Sequence, residues 1–339
     1  MANKTARLGD LATYINGYAF KPADWGETGL PIIRIQDLTG NSYQLNRYDG
    51  EYPERIEVND GDVLISWSAS LGVYVWQRGK ALLNQHIFRV VFDKLPVNKD
   101  YFVFAVEHKL AEMESKTHGA TMKHIVKKDF DGTTIPYPPI EKQAEIADHL
   151  RRITSLIDRQ TEQLLLLDQL VKSRFIELFG DPIKNTQHRP TTAFVNVVTM
   201  QRGFDLPVQD RGQSGNIPVY GSNGVLDHHN QAKVCNGGVI TGRSGTIGKV
   251  FYTKGAYWPL NTTLFSVDTH ENNIIYLAHL LKMFNLARFT EGTGVPTLNR
   301  NKFHSAPIID VPIDEQNQFA AFVEQTDKSK LCGKMEVAA

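Results

Sequence analysis

The feature that most constrains this chain is that it carries the same run of landmarks twice. Gly61-Asp-Val-Leu-Ile-Ser-Trp-Ser-Ala-Ser-Leu-Gly72 matches Gly237-Gly-Val-Ile-Thr-Gly-Arg-Ser-Gly-Thr-Ile-Gly248 without a gap. Gly61/Gly237, Val63/Val239, Ser68/Ser244 and Gly72/Gly248 are identical pairs. Upstream, Gly17-Tyr18 matches Gly203-Phe204, and Leu30-Pro31-Ile32 matches Ile217-Pro218-Val219. Downstream, Leu83-Asn84 aligns with Leu260-Asn261, Phe88 with Phe265, Val90 with Val267, and Phe130 with Phe303. The copies close on Pro139-Ile-Glu-Lys-Gln143 and Pro312-Ile-Asp-Glu-Gln316. A period this long is not that of a solenoid; it means one domain present twice.

Each copy reads as mainly β. Val63–Ser66, Ile87–Phe92, Val239–Thr241 and Leu264–Val267 are short, rich in β-branched or aromatic residues, and bounded by Gly, Asn and Pro. Apolar residues at spacings of three and four predict a helix in each copy, over Asp100–Lys116 and Ile274–Phe289. Between the copies, Glu141–Phe179 contains neither Gly nor Pro, and Gly180-Asp181-Pro182 is a helix stop. Ile146, Leu150, Ile153, Ile157, Leu164, Leu167, Val171 and Leu178 form a stripe in alternating steps of four and three, with Gln160 in the seam. Such a striped helix, roughly 58 Å long, needs a partner helix to bury its apolar side. The repeat supplies one from Asp314 onward, with Phe319 and Val323 standing where Ile146 and Leu150 stand. Beyond these the seam turns polar, at Thr326 and Lys330, so the second helix is expected to be cut short.

Lys+Arg and Asp+Glu are both 37, which gives no bulk attraction to a polyanion. The distribution is uneven, however. Residues 1–140 carry 16 basic and 17 acidic side chains, whereas 183–311 carry 12 and 7, a net +5 compatible with a nucleic-acid partner. The only cysteines, Cys235 and Cys332, lie far apart, so neither a disulfide framework nor a structural zinc site is expected. No stretch approaches the roughly 20 apolar residues that span a bilayer, and Met1–Arg7 is not followed by an apolar leader, which predicts a cytoplasmic protein.

Candidate chemistry fails at the level of motif. Gly242-Arg-Ser-Gly-Thr-Ile-Gly-Lys249 invites a phosphate-loop reading, but Arg243 stands where the first glycine is required and Val250 where Ser or Thr is. No Asn-Pro-Pro-aromatic or Asp-Pro-Pro-Tyr run is present, and Tyr137-Pro138-Pro139 lacks the amide that would hold a flipped base. His228-His229 has no partner at metal-ligand spacing and reads as an exposed turn pair.

Two β-rich copies, each followed by a long helix beginning Pro-Ile-x-x-Gln, resemble the specificity (S) subunits of type I restriction–modification systems. The resemblance is carried by Arg7-Leu-Gly-Asp10, Gly17-Tyr-Ala-Phe20, Gly61-Asp-Val-Leu64, Pro139-Ile-Glu-Lys-Gln-Ala-Glu-Ile146 and Phe175-Ile-Glu-Leu-Phe-Gly-Asp181, and covers residues 6–331. It implies an α+β chain. Two target-recognition domains, 1–138 and 183–311, are separated by a coiled-coil helix, 139–182, and followed by a second, truncated helix and tail, 312–339. It implies double-stranded DNA as ligand, with each domain reading half of a split site. It also implies antiparallel pairing of the long helices, which form a platform for two methyltransferase (M) subunits and for restriction (R) subunits. S-adenosylmethionine, ATP and Mg would then belong to those partners, leaving this chain without a cofactor or catalytic centre. The shortened second helix departs from the family pattern and leaves self-association through an unpaired helix open.

On that reading, loop residues with base-edge or phosphate chemistry are the candidate DNA contacts. Arg243 comes first, because a bidentate Arg–guanine pair is the commonest specific contact. Its loop adds Thr241, Ser244 and Thr246, and the matched first loop adds Ser66, Ser68 and Ser70. Asn84, Gln85 and His86 stand against Asn261 and Thr263, with turn chemistry as the alternative role. Thr121, Lys123, Thr293 and Thr297 come from matched Gly/Thr loops, and Arg34, Gln36 and Asn223 from segments that differ between the copies. Lys127 and Lys128 read either as phosphate contacts or as a solvated face. Two rival functions stay open: an enzyme with its own methyltransferase or nuclease site, and a coiled-coil assembly factor that binds no DNA.

Overall fold

The computed structural model describes residues 4–41, 45–116, 126–211, 215–292 and 296–338. The chain forms two compact units, 1–156 and 157–339, whose boundary falls inside the helix Ile140–Phe179.

In the first unit an antiparallel sheet has the spatial order Thr13–Asn16, Ile87–Val91, Val63–Ser66, Gly72–Val75. In the second, Thr199–Arg202, Thr263–Asp268, Gly238–Gly242 and Val250–Thr253 repeat that order and sense. Each unit adds a short parallel pairing, Ile32–Ile33 with Leu82–Leu83 and Val219–Tyr220 with Trp258–Pro259. Each is also stitched shut by an antiparallel pair joining its beginning to its end: Thr5–Arg7 with Thr134–Pro136, and Thr191–Ala193 with Pro307–Ile309. The duplication is therefore one of topology as well as of sequence.

The central strands are buried on both faces, which is why Val63–Ser66 and Gly238–Gly242 lack a polar alternation. Val63, Ile65 and Phe88 pack on one side with Phe102 and Phe130, while Leu64 and Ile87 turn to the other with Ile33 and Leu82. Phe194, Val239, Leu264, Phe284 and Phe303 fill the corresponding space in the second unit.

Strand pairing corrects the alignment at one place. Ile65 pairs with Phe88, and its counterpart Thr241 pairs with Leu264. Phe88 thus corresponds to Leu264 rather than Phe265, Val90 to Ser266 rather than Val267, and Asn84 to Leu260 rather than Asn261. Burial agrees, since Val90 is 4% exposed and Val267 54%. A slip of one residue in a strand moves every side chain to the opposite face, so matching letters can mislead where matching faces cannot.

The predicted helices form over Lys99–Lys116 and Ile274–Phe284. The second stops short of Phe289 because Asn285 adopts a left-handed conformation (φ 53°), after which Leu286–Phe289 continues as a 3-10 turn. The long helix runs Ile140–Phe179 and ends at Gly180, with φ 75°. Its last turns bury Val171, Phe175 and Phe179 in the second unit's core, where Phe175 meets Phe319 edge to face at 5.4 Å. The helix Ile313–Ala338 lies antiparallel to it: Phe319 sits beside Phe175 and Phe179, and Lys330 reaches Asp168 at 2.6 Å. The polar seam residue Thr326 is 6% exposed and donates its hydroxyl to the carbonyl of Phe322 at 2.9 Å.

The Pro-Ile-x-x-Gln motif has a structural explanation. Gln143 and Gln316 are 0% and 1% exposed. The Gln143 side-chain oxygen accepts the backbone N–H of Asn98 at 2.9 Å, and its amide donates to the Pro138 carbonyl at 2.8 Å. Gln316 makes the same pair of bonds, to Asn273 at 2.9 Å and to Val311 at 2.8 Å. Each glutamine thus fastens the start of a long helix to the start of the helix inside its own domain.

Candidate nucleic-acid interface

The polar loops gather at one end of each unit because two glycines permit close backbone approach. A Cβ on Gly203 would lie 2.2 Å from the Leu260 carbonyl oxygen, and one on Gly17 would lie 2.0 Å from that of Asn84. Without side chains there, Phe204 N–H reaches Pro259 O and Tyr18 N–H reaches Leu83 O, both at 2.8 Å. The 204–206 and 18–20 segments are thereby held against the strand ends beside which the candidate loops lie.

In the second unit the structure brings Arg243, Ser244, Asn261 and Thr297 together. Arg243 N–H donates to Thr262 O at 2.8 Å, Arg243 Nε to Asn261 O at 3.2 Å, and Ser244 bridges to Thr297. The Asn261 side-chain amide donates to Asp205, whose carboxylate also faces Arg202 at 3.5 Å. Asn223 is exposed and joins the same end through Lys249, whose Nζ donates to its Oδ1 at 2.6 Å. Thr246 is half-buried in the turn whose carbonyl nearly touches Gly242. The assembly offers a guanidinium, hydroxyls, amides and a carboxylate, the mixture that base edges require.

The first unit presents Ser68, Ser70, Asn84, Gln85 and His86 in the corresponding place, with Gln85 occupying the position of Asn261. His86 has a positive φ of 72°, and its ring lies 5.0 Å from that of Trp67. Gln36, Gln85 and Ser70 are exposed.

Five candidates are placed otherwise. Ser66, Thr241 and Thr263 are 0% exposed. Their hydroxyls donate inward, to Ser70 O, to Lys249 O at 2.9 Å and to Leu260 O at 2.7 Å. They sit on strands whose two faces are both covered, so they shape the loops rather than face a ligand. Arg34 is engaged by Asp37 at 3.4 Å and lies 5.5 Å over the Trp25 ring, at the start of the Ile35–Leu38 helical turn. Lys127 is likewise paired with Asp131 at 2.6 Å. Thr121, Lys123 and Thr293 lie outside the described residues. His228 and His229 are on the strand Gly224–His229 rather than in a turn, and His229 is buried with its ring 5.1 Å from that of Trp258.

Sequence reasoning missed Asp205, Arg202, Lys249 and Trp67. Arg202 and Asp205 flank the Gly203 landmark and could have been found from it. Trp67 could have been found from the gap-free alignment, which sets it against Arg243.

A family model for the type I restriction modification DNA specificity domain matches residues 2–167 and 196–333. The chain belongs to that family. Among its relatives is the specificity subunit of the type I restriction enzyme EcoBI of Escherichia coli, 29% identical over 168 residues, or 49% of this chain and 35% of that one. The MjaVIII specificity subunit of Methanocaldococcus jannaschii is 26% identical over 180 residues, covering 52% and 41%. The chain thus aligns with well under half the length of these two. A putative type I specificity subunit of Mycoplasma pneumoniae is 22% identical over 296 residues, covering 83% of this chain and 76% of that one. The crystal structure of the S subunit of a type I restriction-modification system from M. genitalium superposes with a TM-score of 0.66 at 14% identity, covering 99% and 92%, and so shares the fold. In this family's terms, the two sequence copies are the two matched specificity domains. Among the described residues no helix is long and apolar enough to cross a membrane.

Proposed function

We propose that this chain is the DNA sequence-specificity subunit of a type I restriction–modification complex. Each unit binds half of a bipartite double-stranded site, and the chain scaffolds two methyltransferase subunits and the restriction subunits. The observation that carries the reading is the family match over both copies of one fold, each presenting a polar loop cluster at the same end of its sheet. Methyl transfer and cleavage, with S-adenosylmethionine, ATP and Mg, belong to the partners, and the chain works in the cytoplasm. The contacts we assign to DNA are Gln36, Ser68, Ser70, Asn84, Gln85 and His86 in the first unit. In the second they are Asn223, Arg243, Ser244, Thr246, Asn261 and Thr297.

The test is to reconstitute the full chain with its modification partner and map methylated sequences before and after exchanging residues 183–311 for those of another specificity subunit. One half of the methylated site changes and the other half stays. A methylated sequence indifferent to the exchange would favour an assembly factor, and methyl transfer by the chain alone would favour an enzyme.

A further inference from the structure

Arg243 is held unlike Arg189, Arg202, Arg211 and Arg288 of its unit. Arg189, Arg202 and Arg211 face carboxylates of Glu315, Asp205 and Asp227 at 2.8, 3.5 and 3.8 Å. Arg288 lies over the rings of Phe284 and Phe289 at 4.2 and 4.7 Å. Arg243 is instead fastened by backbone groups at three points. Its N–H donates to Thr262 O at 2.8 Å, its carbonyl accepts from Leu298 N–H at 2.8 Å, and its Nε donates to Asn261 O at 3.2 Å. Its two terminal Nη groups make no hydrogen bond to the described residues, and the side chain is half-exposed. The plane of the guanidinium is thus set by the fold while its outer pair of donors stays available. Much of the rotamer entropy that an arginine loses on binding is already lost.

The surroundings offer groups that suit a base edge. Asn261, whose backbone carbonyl accepts from Arg243 Nε, donates its side-chain amide to Asp205, a carboxylate that also faces Arg202 at 3.5 Å. That carboxylate and the Asn261 amide add acceptors to the cluster, which amino groups on base edges can use and a phosphate cannot. Two parallel N–H donors in a fixed plane match O6 and N7 of guanine in the major groove.

The equivalent position of the first unit has different chemistry. Trp67 N–H donates to His86 O at 3.2 Å, as Arg243 N–H does to Thr262 O, but the indole stacks on Phe88 at 5.5 Å with an interplanar angle of 21°. We infer that the second unit reads a guanine in its half-site through Arg243, and that the first unit, with Trp67 there, does not use this form of readout. The inference rests on the proposed DNA-specificity function and names one base of the substrate.

The full chain, reconstituted with its modification partner, is assayed on half-site libraries as wild type and as Arg243→Ala and Arg243→Lys. Both variants lose about 5- to 150-fold in affinity for the preferred site and lose discrimination at one position, where the wild type prefers guanine. Substituting 7-deazaguanine at that position lowers wild-type binding, a readout that needs no variant to fold, and leaves the binding of Arg243→Ala unaffected. Uniform weakening across all sequences, with the salt slope reduced by about one, would show a phosphate contact and overturn the inference. So would full activity of the 7-deazaguanine site. A wild type that discriminates no sequence in either half would instead sink the underlying function.

Discussion

The side-chain oxygen of Gln316 accepts the backbone N–H of Asn273 at 2.9 Å, and Asn273 in turn caps the helix Ile274–Phe284 by accepting from Ile275 N–H at 3.0 Å. Gln143 and Asn98 hold the same relationship in the first unit, where Asn98 accepts from Tyr101 N–H at 3.0 Å. A buried amide that satisfies both a donor and an acceptor is suited to fixing the angle at which a long helix leaves a domain, because an apolar side chain of that size would strand both backbone groups.

Replacing Gln316 by Leu therefore leaves the Asn273 N–H and the Val311 carbonyl unpaired in the interior. The second unit loses about 2–4 kcal/mol, read as a lower unfolding midpoint and as faster exchange of the Asn273 amide. Unchanged exchange at Asn273 would show that water or another group replaces the glutamine.

Gly203→Ala drives a methyl group against the Leu260 carbonyl, whereas Gly255→Ala meets nothing within 4 Å. The first costs on the order of 2 kcal/mol or more and displaces the loop that carries Asn261; the second stays within about 0.5 kcal/mol. Thermal unfolding and DNA-binding assays on the pair separate a packing effect from a general intolerance of alanine.

His279 gives the second unit an acid-sensitive element. Burial first, and then the nearby Lys282, push its pKa down to about 4, while Asp327 and Asp168 act in the other direction and Lys330 adds to the depression. Its ring packs 5.4 Å from Phe319. The folded pKa lies below the unfolded one, so the unfolded chain takes up the proton first. The stability that His279 contributes by staying neutral is complete above about pH 6.5, declines as pH falls toward 4, and is lost below it. His279→Phe flattens that decline in a series of unfolding midpoints; an unchanged slope would mean that carboxylates alone set it.

Thr241→Val and Thr263→Val remove buried hydroxyls bonded to backbone carbonyls. Each lowers stability by about 1 kcal/mol and leaves base preference as it was. Asn261→Ala, by contrast, alters preference at the second half-site, scored by methylated-site mapping. A change of preference in either threonine variant would return those residues to the interface.

The sequence by itself determined the architecture. Landmark glycines, the Pro-Ile-x-x-Gln pairs and an apolar stripe from Ile146 to Leu178 on a segment free of Gly and Pro are local patterns, and backbone sterics and helical periodicity read them the same way in any context. That is why two copies of one domain and a long helix ending at Gly180 were legible from the letters alone. The loops that form the candidate interface were legible as polar segments, and Arg243 as their foremost side chain. Only the tertiary structure decided which of their groups face outward. Ser66, Thr241 and Thr263 look like ligands in the sequence but lie on strands covered from both sides, while Asp205 enters the cluster through a hydrogen bond to a residue 56 positions away. It also decided that Asn261 stands with Gln85, because strand register is set by which face meets the core and not by which letters agree.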